Sequence, residues 1–90
     1  MSLPADLAAA VARAGVDPTL PERLLEDALC AAITERRGYR GDWWVGDDGL
    51  WHVELLWPVR ETFGGATLAQ ALGWCLVGVM GTTGGRGAVA

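Results

Sequence analysis

The 90-residue chain has no lysine and no asparagine, one histidine and two cysteines. Each scarcity closes off a class of chemistry. Cys30 and Cys75 are too few for a disulfide-dense secreted scaffold and do not form a C-x-x-C pair. With both far from His52 in sequence, the usual zinc-ligand spacings are absent and no metal is expected. Gly64-Gly65 lacks the following lysine of a phosphate loop, and Gly84-Gly85-Arg86-Gly87 falls in the tail, so no nucleotide cofactor is expected either. All seven basic residues are arginine, a bias typical of GC-rich bacterial genomes. The N-terminus has neither the basic region nor the continuous apolar stretch of a signal peptide, which implies a cytoplasmic location. Phe63 to Thr83 is free of charge, long enough to raise a membrane span. Gln70, several Gly and Thr breaks and the missing basic or aromatic flanks argue instead for a buried helix and no membrane.

What remains is globular: 51% hydrophobic, 20% charged, with five tryptophans. Disorder is excluded for residues 2–81, and the length suits one modest core rather than a Rossmann sheet, a barrel or a two-domain enzyme. The expected organisation is one domain over residues 1–81 and a flexible Gly-rich tail over 82–90. The net charge of −4 is uneven. Residues 1–35 carry two Arg against six acids, residues 36–40 three Arg and no acid, and residues 41–62 one Arg against five acids. An acidic body with one short basic patch does not suit broad duplex DNA binding. It leaves room for a local anion contact or a basic protein partner.

Apolar residues at helical spacing predict a first helix from Pro4 to Ala14, stopped by Gly15. A second helix is expected from a Thr19/Glu22 capping box, with Arg36 and Arg37 at its negative end and Gly38 as terminator. Gly46-Asp47-Asp48-Gly49 between aromatic and β-branched runs marks a hairpin. A two-residue loop would put Trp44 beside Val53, and a three-residue loop would put Trp43 there; one residue of slip exchanges the faces. Val59–Phe63 is a third edge strand or an extended return. Thr67 with Gln70 caps a last helix over Leu68–Met80, apolar on both sides and therefore needing two partners. The expected fold class is two-layer α+β, order α-α-β-β-(β)-α, with helices covering a small antiparallel sheet.

Four groups could carry function. His52 and Glu54 share a strand face, where a His–carboxylate pair could serve a small enzyme as general base, or simply supply two polar surface positions. Asp42, Asp47 and Asp48 lack the ligand ladder of a calcium loop and fit turn chemistry. The cysteines fit small core hydrophobes. The stretch from Arg36 to Trp44 is the most informative. Arg36, Arg37, Tyr39 and Arg40 could contact phosphates and stack single-stranded bases, or end a helix and enter a sheet. Trp43, Trp44, Trp51, Trp57, Trp74 and Val77 could form an interface, for which Trp and Arg are favoured.

Residues 43–80, with an Asp-Gly hairpin, Val53-Glu54, then Thr67-Leu68 and Ala71-Leu72 opening a helix, resemble the β-β-β-α module of the HicB-type antitoxins. Leu56-Trp57-Pro58-Val59 departs from that family's turn, two helices precede the module, and the family's C-terminal DNA-binding segment is missing. The resemblance implies a non-enzymatic, oligomeric protein that binds a basic RNA-cleaving toxin. From the residues themselves, the expectation is a non-catalytic module that self-associates or binds another protein. Nucleic-acid binding through the Arg36–Trp44 stretch and a His52/Glu54 enzyme stand as alternatives.

Overall fold

The computed structural model describes residues 3–83. Helices α1 (Ala5–Arg13) and α2 (Glu22–Glu35) precede strands β1 (Tyr39–Val45), β2 (Trp51–Trp57) and β3 (Glu61–Gly65), and helix α3 (Leu68–Thr83) closes the order α-α-β-β-β-α. The expected tail lies outside the described residues, except that the α3 backbone runs on through Thr83.

Local chemistry explains most boundaries. Gly15, at φ +90°, takes the left-handed position after α1. Its N–H donates to the Ala12 carbonyl and that of Val16 to the Val11 carbonyl, both at 3.0 Å, a Schellman motif that seats Val16 in the core. The start of α2 corrects the sequence expectation. Pro21 keeps Leu20 out of helical geometry, so Thr19 cannot cap and the helix begins at Glu22 without a side-chain cap. The Thr19 hydroxyl and N–H donate instead to Asp17 Oδ1, at 2.6 and 2.9 Å. These two bonds, the hydroxyl's first, hold the Asp17 carboxyl below its usual range. At α3 half of the expected capping box forms: the Gln70 N–H donates to Thr67 Oγ1 at 3.2 Å, but Gln70 Oε1 accepts from the Ala66 N–H at 3.0 Å rather than from that of Thr67.

The end of α2 is a second correction. Arg37 (φ +63°), not Gly38, occupies the left-handed position. The Gly38 N–H reaches the Ile33 carbonyl at 2.8 Å and the Arg37 N–H that of Thr34 at 2.9 Å. Glycine is needed at 38 for a different reason: a Cβ there would lie 2.7 Å from Ile33 Cγ2 and 2.9 Å from Val79 Cγ2. Arg37→Gly is expected to raise the unfolding free energy by about 1 kcal/mol, the cost of a left-handed L-residue. The gain reads as a higher urea midpoint at unchanged slope. A lower midpoint would mean that the Arg37 side chain contributes more than its backbone costs.

The sheet is antiparallel in the order β1-β2-β3. The hairpin takes the three-residue loop. Gly49 is left-handed, Leu50 donates to Asp48 Oδ1 at 2.9 Å, and Gly46 donates to the Leu50 carbonyl at 2.8 Å. That sets Trp43 opposite Val53 and Trp44 opposite His52. The third strand exists but starts at Glu61, after a turn through Pro58, Val59 and Arg60. Val53 and Leu55 point from β2 into the core. There α3 lies between β2 and β3 on one side and α1 and α2 on the other. Glycines permit both approaches: Leu7 methyls lie 3.2 Å from a virtual Cβ at Gly73, and the Phe63 ring occupies the place of one at Gly78. The apolar last helix therefore finds its two partners within one chain.

Candidate functional site

The core closes without four of the chain's aromatic rings. Tyr39 is 65% exposed, Trp57 64%, Trp43 51% and Trp44 43%; Val45 is exposed beside them. Register explains this. β1 is an edge strand with a neighbour on one side only, and α3 packs on β2 and β3 rather than on it. Trp43, on the helix side with its partner Val53, and Trp44, on the other face with its partner His52, are both left open. Tyr39 pairs with Trp57, the last residue of β2, whereas β3 reaches back only as far as Leu55. The pair therefore overhangs the third strand. Gly41 and Asp42 form a bulge between the Arg40–Leu55 and Trp43–Val53 pairs. A bulge interrupts the straight hydrogen-bonding edge that an added strand would need. Side chains, rather than the bare strand edge, are what β1 offers.

A groove opens beside β1. Glu26, Asp27 and Cys30 of α2 form one wall, Arg40 and Trp43 of β1 the other, and Leu68 and Leu72 of α3 the floor, around about 200 Å³. A second hollow of about 240 Å³, lined by Glu22, Glu26, Trp51, Thr67 and Leu68, adjoins it through Glu26 and Leu68. Burial pushes the Glu26 carboxyl up, with Glu22 and Asp27 adding like-charge repulsion and Arg23 opposing them. Among the described residues no cation lies within 4.0 Å of these three carboxylates. The Arg40 guanidinium carbon sits 5.5 Å from the Trp43 ring centroid, within cation–π range.

The sequence candidates are thus distributed unevenly. Trp43, Trp44 and Trp57 are exposed, while Trp51, Trp74 and Val77 are half-buried against the core. Tyr39 and Arg37 are exposed and Arg36 is half-buried, but Arg40 turns into the acid-walled groove. His52 and Glu54 do not pair. His52 Nε2 lies 3.3 Å from Asp48 Oδ1, its ring stacks on Trp44 with centroids 5.6 Å apart, and Glu54 has Arg60 Nε at 3.9 Å. The reason is the hairpin loop, which brings Asp48 back over the His52 end of β2. The Leu50 N–H and then His52 hold the Asp48 carboxyl below its usual range. Cys75 is buried and its thiol is pushed up to about 12 by burial; burial also raises the half-buried Cys30. Neither thiol is poised as a nucleophile at neutral pH.

Among the described residues no three His, Cys, Asp or Glu side chains gather as a metal site, and no helix is long and apolar enough to cross a membrane. The acid wall was missed in the sequence, where Glu22, Glu26 and Asp27 read as the solvated face of an amphipathic helix. Only the position of β1 turns that face into a groove. No family model, curated protein or solved structure matches the chain.

Proposed function

We propose that this chain is a non-catalytic protein-interaction module whose partner is a second copy of itself. The observation that carries the reading is the set of aromatic side chains around β1, Tyr39, Trp43, Trp44 and Trp57, left outside a core that is complete without them, with Trp43 and Trp44 on opposite faces of the strand. At their observed exposures the four residues present on the order of 500 Å², divided between the two faces of β1. That compares with about 800 Å² contributed by each partner to a stable interface. Water contact with that much apolar surface is unfavourable, and aromatic and Arg side chains are the groups that anchor interfaces. Single-stranded nucleic acid is a poorer fit, because Arg40 faces Glu26 and Asp27 and a phosphate chain would meet the same carboxylates. Light scattering across a dilution series from high to low micromolar tests the reading. A mass that falls from two chains to one on dilution supports it; one chain at every concentration contradicts it.

A further inference from the structure

We infer that the acid-walled groove between α2 and β1 receives the Arg36–Arg37 corner of a second copy, so that two copies pair about a twofold axis through two identical charge contacts. The inference rests on the self-association reading and says which surfaces meet.

The groove is apolar at its floor, at Leu68 and Leu72, and acidic along its α2 side, at Glu22, Glu26 and Asp27. Among the described residues Arg40 is the one cation lining it, so the three carboxylates leave an excess of two negative charges. Arg36 and Arg37 supply two positive charges, and among the described residues neither has a carboxylate within 4.0 Å. The described residues therefore carry both halves of a neutral contact and do not join them to each other.

Distance forbids an internal match and favours a mutual one. Glu26 lies in the second turn of α2 and Arg37 just past its far end, about 16 Å away along the axis at the ordinary helical rise. A second copy laid antiparallel brings its Arg36–Arg37 corner to the groove of the first and offers its own groove in return. This is the self-complementary geometry of a twofold interface. Trp43 belongs to the groove wall and is itself half exposed, so the charge contacts adjoin an aromatic contact on the same face. Apolar contact at the centre with charges toward the margin is the ordinary anatomy of an interface. Incoming guanidinium groups would also offset the like-charge repulsion that Glu22 and Asp27 add to burial at the Glu26 carboxyl.

Two charge reversals test the pairing, Glu26→Arg and Arg37→Glu. Each variant alone sets like charges against each other in both contacts, and its self-association is expected to weaken by about tenfold or more. An equal mixture of the two should restore a two-chain species by light scattering. In the mixed pair one contact is wild type and the other carries the same charges exchanged. Arg36→Glu and Glu26→Gln replace either variant if it fails to fold, with a smaller loss expected for the neutral change. A wild-type dimer whose reversed variants associate undiminished overturns the inference and leaves self-association standing. So does a mixture that stays monomeric. A monomeric wild type removes both.

Discussion

Leu76→Ala is expected to lower the unfolding free energy by about 2 to 5 kcal/mol, the range for truncating a fully buried leucine. Leu76 is fully buried in α3, the helix that touches α1, α2, β2 and β3. A helix held by four separate elements cannot shift to close the space left behind, so the cavity persists. A domain of this size has about 4 to 13 kcal/mol in total, and the variant would lose a large fraction of it. Leu24→Ala serves as the contrast: Leu24 is exposed on α2, and its loss should stay within about 0.5 kcal/mol. Urea unfolding of both variants checks the ranking. Near-equal midpoints would show that α3 does not organise the core.

The paired substitution Tyr39→Ser with Trp57→Ser is expected to act in the opposite sense, leaving the fold and removing association. The two residues are backbone partners across β1 and β2, and their side chains lie mostly outside the core. Their loss should cost the monomer about 1 kcal/mol or less, the worth of a cross-strand aromatic pair. Buried aromatic anchors of interfaces are worth about 2 kcal/mol or more apiece, so association should weaken by about a hundredfold or more. Concentration-dependent light scattering alongside urea unfolding separates the two effects. Undiminished association would place the contact elsewhere on the molecule.

The parts of this fold legible in sequence are those decided by neighbouring residues. Thr67 and Gln70 open α3 because the capping groups stand three residues apart. Gly15 ends α1 because its φ of +90° suits no other residue so well. Expectation failed where two local signals competed. Pro21 outranks Thr19 at the start of α2, and Arg37 accepts the left-handed position because Gly38 must pass close to Ile33 and Val79. The hairpin register was open because Asp48-Gly49 suits either loop length. The Asp48 bond to Leu50 belongs to the longer loop, and the fate of Trp43 and Trp44 follows from it. The candidate site depends on longer-range placement still. Glu26 and Asp27 face a groove because Arg40 and Trp43 stand across from them, and no spacing within α2 encodes that.

Acrylamide quenching of tryptophan fluorescence, followed as the protein is diluted, tests most directly whether the aromatic surface around β1 is the one that copies share. Trp43, Trp44 and Trp57 are open to the quencher in a single copy, whereas Trp51 and Trp74 are half-shielded by the core. Covering that surface should make quenching weakest at high concentration and strengthen it in step with the fall in mass. Quenching that stays constant while the mass halves would contradict that assignment.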